Sequence, residues 1–76
     1  MKSVPDILKE IRPEFDFASS KDFIEDGMLD SFDMMMLVSE LDKNFAISIE
    51  GTDITPENFK SIQTIESLLG KSGVKL

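Results

Sequence analysis

The 76-residue chain contains no cysteine, histidine, tryptophan or tyrosine. Without cysteine it has no disulfide, no thiol nucleophile and no thiolate ligand for a metal ion. Without histidine it lacks the usual general base near neutral pH and the commonest metal ligand. We therefore expect a protein that is not an enzyme and has no catalytic residues or metal site of its own.

Long hydrophobic runs and positive charge are also missing. No apolar run approaches the roughly 18 residues that span a bilayer, and the chain does not open on a signal-peptide pattern. The net charge is −7, which disfavours nucleic acid because phosphate binding requires lysine and arginine. We expect a single cytoplasmic domain, a monomer, without a membrane span or a nucleic-acid partner.

The negative charge is concentrated in the middle of the chain. Residues 22–57 contain ten acidic side chains and one base, Lys43, so this segment carries −9 and the two ends together carry +2. One interpretation is a solvated face that keeps the protein soluble. The other is a surface that attracts basic partners, since complementary charge accelerates encounter and sets orientation.

The spacing of apolar residues predicts an all-α fold, a small four-helix bundle with a long first loop and a short third helix. The predicted helices span about 4–12, 31–45, 56–59 and 62–70, and a mobile tail is predicted at 71–76. Pro13 should stop the first helix, and Gly70 should end the last. The alternating apolar residues of 45–51 are interpreted as an extended loop docked on the core, because no second strand exists to pair with them.

The second helix is the strongest of these predictions. Asp30 and Ser31 are both good N-cap residues, and Asp33 adds negative charge in the first turn, where the helix dipole favours it. The residues predicted to point inward are Met34, Leu37, Val38, Leu41 and Phe45. Those predicted to point outward are Met35, Met36, Ser39 and Asp42, with Phe32 at the border.

Residues 26–33, Asp26-Gly27-Met28-Leu29-Asp30-Ser31-Phe32-Asp33, resemble the acyl carrier proteins and the related peptidyl and D-alanyl carriers. That family has an Asp-Ser-Leu triplet at the start of its second helix, preceded by a glycine and an apolar residue. The triplet here is Asp30-Ser31-Phe32. Residues 4–70 can be laid on the family pattern, which implies the acyl-carrier-like form of the four-helix bundle.

The resemblance implies a freestanding carrier charged through Ser31. In the family, the matching serine is esterified with 4′-phosphopantetheine, which a separate Mg²⁺-dependent transferase delivers from coenzyme A. The arm ends in a thiol that holds an acyl or aminoacyl group as a thioester. The implied partners are the phosphopantetheinyl transferase, an acyl- or aminoacyl-loading ligase, and downstream transferases or synthases of fatty-acid or secondary-metabolite biosynthesis.

The resemblance also implies roles for the neighbours of Ser31. The acid matching Asp30 lies beside the arm and helps the transferase. The residues expected to contact partners are Phe32, Asp33, Met35, Met36 and Ser39. Asp33 is interpreted as an exposed dipole complement, a partner contact, or both, so Asp33→Lys should slow transfer more than it destabilises the fold.

Two departures from the family pattern leave the cargo open. Fatty-acid carriers usually have leucine where Phe32 stands and glutamate where Met36 stands. Phenylalanine at the first position is frequent in D-alanyl carriers, so an aminoacyl or D-alanyl cargo is an alternative to a fatty acyl or polyketide cargo.

Two alternatives come from other classes of protein. Residues 22–33 match several positions of a twelve-residue EF-hand calcium loop, but Ile24 stands at position three and Asp33 replaces the usual glutamate at position twelve. The second alternative is an unmodified adaptor that binds a protein through the methionine-bearing acidic helix. Such an adaptor should function unchanged with Ser31→Ala.

Overall fold

The computed structural model describes residues 3–74, and all regular structure in that range is helical. Four helices follow in order, which we name α1 (Val4–Ile11), α2 (Ser31–Phe45), α3 (Pro56–Phe59) and α4 (Ile62–Lys71). Short 3₁₀ turns at Phe17–Ser19 and Gly51–Asp53 lie in segments that the sequence predicted as loops. The all-α prediction is confirmed, and residues 45–51 form no strand.

Local capping explains where α1 lies. The Ser3 hydroxyl accepts a hydrogen bond from the Asp6 N–H, and the Asp6 carboxylate accepts one from the Ser3 N–H. The helix ends at Ile11, one residue before the predicted end, because Arg12 takes a non-helical conformation before Pro13.

The end of α4 differs from the prediction. Gly70 lies inside the helix, and the left-handed residue that follows the helix is Gly73, with a φ of 93°. The Val74 N–H donates to the Leu69 carbonyl, and Val74 packs against the core. The predicted mobile tail 71–76 therefore begins too early, and its last two residues, 75–76, lie outside the described range.

The helices bury their apolar stripes in one core. Helix α1 packs on both α2 and α4, and α3 packs on α4. The Cα radius of gyration is 11.2 Å, which matches the roughly 11 Å expected for a compact chain of this length. None of the helices in the described range is long and apolar enough to cross a membrane. The buried apolar residues are Val4, Ile7, Leu8, Phe17, Phe23, Leu29, Met34, Leu37, Val38, Leu41, Ile49, Phe59, Ile65, Leu68 and Leu69.

The long connection between α1 and α2 is anchored by aromatic side chains. The Phe17 and Phe23 rings meet edge to face with centroids 4.9 Å apart, and Phe15 contacts Phe17 in the same way at 6.1 Å. The Phe23 N–H also donates to the Lys60 carbonyl, between α3 and α4. These contacts hold the loop that leads to the first residue of α2.

Candidate functional site

The segment before α2 turns tightly on Gly27. Its φ of 73° is a left-handed conformation that glycine adopts without strain. The Met28 and Leu29 N–H groups both donate to the Phe23 carbonyl, and Leu29 is buried. The chain therefore reaches Asp30 from a fixed direction.

The N-cap of α2 is Asp30, and Ser31 is the first helical residue. The Asp30 carboxylate accepts the Asp33 N–H at 2.8 Å, and the Asp33 carboxylate accepts the Asp30 N–H at 3.3 Å. Since Asp30 fills the capping role, the Ser31 side chain is not needed for it. Ser31 is exposed, and its hydroxyl makes no hydrogen bond within residues 3–74.

A basic residue that the sequence did not single out completes this site. Arg12, at the end of α1, donates from Nε and Nη2 to the Asp33 carboxylate at 3.0 and 2.8 Å. Its Nη2 also lies 4.0 Å from an Asp30 carboxylate oxygen, and its Nη1 contacts Glu14 at 3.3 Å. Arg12 is the only arginine in the chain. Its contact with Asp33 could not be predicted from sequence spacing, because the two residues are 21 positions apart.

The electrostatics of Asp33 follow from this contact. Burial would raise the pKa of its carboxyl, but the hydrogen bonds from Arg12 and from the Asp30 backbone outweigh burial, and the pKa is lowered. The same hydrogen bond with Asp33 raises the pKa of Arg12. The pair is therefore ionised at neutral pH.

The prediction of Asp33 as an exposed partner contact is wrong. Its exposed fraction is 2%, and it is the only polar side chain among the buried residues of the described range. Asp33 lies one turn before Leu37 and two turns before Leu41, on the same inward stripe. Asp33→Lys should accordingly disrupt the fold, because it would place a second cation against Arg12.

The other predicted contact residues form an exposed apolar face. The exposed fractions are 72% for Phe32, 60% for Met35 and 36% for Met36, and Ser39 is exposed one turn later. Met34 is buried, as predicted. We call Phe32, Met35, Met36 and Ser39 the α2 face. Exposed side chains of this size are typical of surfaces that bind a partner.

The carboxylates of the alternative calcium loop have separate local partners. Asp22 accepts the Ile24 and Glu25 N–H groups, Asp26 accepts the Ser20 hydroxyl, and Asp33 is bound by Arg12. Among residues 3–74, no three acidic side chains form a group that could hold a metal ion.

Comparison with protein-family models, with curated proteins and with solved structures finds no match to this chain. Inferences about its function therefore depend on the residues around Ser31. The site combines an exposed hydroxyl that is unbonded within residues 3–74, a neighbouring carboxylate engaged as the helix cap, and an exposed apolar face along the same helix.

Proposed function

We propose that the protein is an acyl carrier of the four-helix type, which holds an acyl or aminoacyl group on 4′-phosphopantetheine esterified to Ser31. The observation that carries the proposal is the exposed Ser31 hydroxyl at the first position of a 15-residue helix, where Asp30 and not Ser31 provides the cap. Most serines at helix starts act as caps, whereas this one is available for modification.

The surroundings of Ser31 fit a phosphodiester. The first turn of a helix has backbone N–H groups without intrahelical partners and the positive end of the dipole, which favour an anion. The nearby Asp33 carboxylate is compensated by Arg12 and so repels an added phosphate less. When bound, the group would supply a thiol for thioester formation, which this cysteine-free chain lacks.

The chemistry at Ser31 is a phosphoryl transfer that the chain cannot perform alone. Its Oγ would bond to the phosphorus at the pantetheine end of coenzyme A, the pyrophosphate bond would break, and the nucleotide half would leave. The hydroxyl proton would pass to a base of the transferase, because the neighbouring Asp30 carboxylate is engaged with the Asp33 N–H. The role of this chain is to present the hydroxyl and to dock the enzyme.

The decisive experiment is intact-protein mass spectrometry after incubation with coenzyme A, Mg²⁺ and a broad-specificity phosphopantetheinyl transferase. Wild-type protein should gain the mass of one phosphopantetheine, and Ser31→Ala should gain none. Ser67→Ala, which removes an exposed serine of α4 that is not part of the α2 face, is the matched control and should be modified like wild type. A wild-type protein that gains no mass with several transferases would contradict the proposal.

Asp30 has two roles that one substitution can separate. Asp30→Asn keeps a side-chain oxygen for the Asp33 N–H but removes the charge beside Ser31. We expect its thermal stability to stay close to wild type, since asparagine caps helices as well as aspartate. Its modification rate should fall if the carboxylate assists the transferase, as the family resemblance suggests. An unchanged modification rate would mean that Asp30 serves only as the helix cap.

The α2 face supports a second candidate, the unmodified adaptor. Phe32 is a large apolar side chain that is 72% exposed. A partner that covers it would remove this apolar surface from water, which favours binding. A carrier and an adaptor both use this face, but only the carrier requires the Ser31 hydroxyl. A biological activity that survives Ser31→Ala would favour the adaptor.

A further inference from the structure

The C-terminus of α1 and the first turn of α2 are tied together by one side chain. The Arg12 backbone is held by its N–H, which donates to the Leu8 carbonyl at 3.0 Å, and Pro13 restricts it from the other side. From this fixed position the guanidinium binds the buried Asp33 carboxylate through two N–H groups. Glu14 holds the remaining nitrogen, so the orientation of the guanidinium is set.

The effect of Arg12 extends past Asp33 to Asp30, the residue before Ser31. The Asp33 oxygen that Arg12 binds is the same oxygen that accepts the Asp30 N–H. The Asp33 N–H in turn donates to the Asp30 carboxylate at 2.8 Å. Ser31 therefore lies in a turn that is closed by side chains at both ends and fixed to another helix.

Loss of the guanidinium would leave a buried carboxylate without a cation. A carboxylate in that position must take up a proton or turn toward water, and either change disturbs its hydrogen bond with the Asp30 N–H. The helix beyond this turn depends on the apolar stripe and would persist, because Leu37 and Leu41 remain buried. The disturbance is expected to be confined to the turn that bears Ser31.

We propose that Arg12 is a positioning residue for Ser31, which fixes the first turn of α2 and so aligns the hydroxyl for modification. This inference rests on the proposed function, since it concerns the same reaction. The Arg12 guanidinium contacts Asp33, Asp30 and Glu14, not the Ser31 hydroxyl, so it acts on Ser31 through Asp33 and Asp30.

The kinetic test compares Arg12→Gln with Lys9→Gln in the transferase reaction. Both substitutions remove one positive charge from the end of α1, but Lys9 is exposed and has no contact with Asp33. For Arg12→Gln we expect kcat to fall about tenfold while KM for the carrier changes less than about twofold, because docking is retained and alignment is lost. Lys9→Gln should match wild type.

This separation of kcat from KM distinguishes positioning from simple loss of stability. A partly unfolded protein has a lower concentration of competent carrier, which raises the apparent KM and leaves kcat unchanged at saturation. Arg12→Lys is the conservative variant. It keeps the charge but not the two-donor fork, so we expect a kcat between those of wild type and Arg12→Gln.

Amide hydrogen exchange on the unmodified protein tests the structural step. The Asp33 and Met34 amides, which donate to Asp30, should exchange several-fold faster in Arg12→Gln. The Thr64 amide is the internal control, because it lies in the equivalent capping box of α4 and should be unaffected. Equal exchange at Asp33 in both proteins would overturn the role of Arg12.

The outcomes separate the two proposals. If wild-type protein is modified and Arg12→Gln has the same kcat, the positioning role is wrong and the carrier function stands. If no transferase modifies wild-type protein, the carrier function is wrong and the positioning role for that reaction fails with it. A lower kcat, an unchanged KM and faster exchange at Asp33 together support both.

Discussion

At the scale of single residues, Ala46 has a backbone conformation that suits glycine. Its φ of 54° and ψ of 46° are left-handed, and it is the only non-glycine residue with positive φ between residues 3 and 74. Ala46→Gly should stabilise the protein by about 0.5–1 kcal/mol, because glycine removes the steric conflict at this helix end. Urea unfolding measures the change.

The matched control is the other alanine of the chain. Ala18 lies in a 3₁₀ turn without positive φ, so Ala18→Gly should destabilise by roughly 0.5–1 kcal/mol through backbone entropy alone. If both glycine variants lose stability, the conformation of Ala46 is not strained in solution.

The lowered pKa of Asp33 predicts that the stability of the protein depends on pH. The pKa of the Asp33 carboxyl is lowered in the folded protein. The ionised carboxylate therefore contributes its full share to the free energy of unfolding above its ordinary pKa of about 4, and this share is lost as the pH falls further. The difference in free energy of unfolding between wild type and Asp33→Asn should therefore be constant near neutral pH and shrink below about pH 4. The exposed Glu25→Gln is the control. A difference that grows toward low pH would contradict the Arg12 contact.

The residues that the sequence left undecided are those whose roles depend on distant groups. Asp30 and Ser31 are both suitable caps, and only the backbone geometry assigns the cap to Asp30. Asp33 was interpreted as exposed, although it lies four and eight residues before the inward-facing Leu37 and Leu41, because a buried aspartate requires a partner. That partner, Arg12, lies across a loop whose path no local pattern specifies.

At the scale of elements, α2 has a buried face and an exposed face. Met34→Ala should cost about 2–5 kcal/mol, because it removes a buried side chain from the core. Met35→Ala should change stability by less than about 0.5 kcal/mol, since this neighbouring side chain is exposed. Thermal unfolding of the two variants measures the contrast.

The same pair tests the α2 face. If Met35 contacts the transferase, Met35→Ala should raise KM for the carrier in the modification assay while the fold stays intact. Equal KM for wild type and Met35→Ala would remove Met35 from the docking surface. Equal losses of stability in the two variants would instead contradict the orientation of α2.

Helix positions were predictable where an apolar stripe and a cap occur together. Ser3, Asp30 and Ser61 each precede such a stripe, and α1, α2 and α4 begin directly after them. The end of α4 was mispredicted because glycine is tolerated inside a helix when packing supports it, as the burial of Leu68 and Leu69 does here. The two 3₁₀ turns could not be predicted from the spacing of apolar residues, because each has only three residues and is shorter than the helical repeat of about 3.6 residues.

At the scale of the whole molecule, the acidic segment 22–57 includes α2 and its exposed apolar face. Long-range attraction accelerates encounter with a basic partner, and dissolved salt weakens it over a Debye length of about 10 Å at 0.1 M. We expect kcat/KM for modification of Ser31 to fall roughly tenfold between 0.05 and 0.5 M NaCl, with a smaller effect on kcat.

Salt also acts on coenzyme A and on the transferase, so the test requires a carrier of reduced charge. The combined variant Glu25→Gln, Glu40→Gln and Glu50→Gln removes three charges from the acidic segment, and none of these side chains takes part in the Arg12 contact. Because the enzyme and coenzyme A are the same in both assays, the difference between the two salt slopes belongs to the carrier. The variant should show a shallower slope and a lower kcat/KM at 0.05 M NaCl. Identical slopes would mean that the acidic segment serves solubility alone and that docking depends on the apolar side chains of α2.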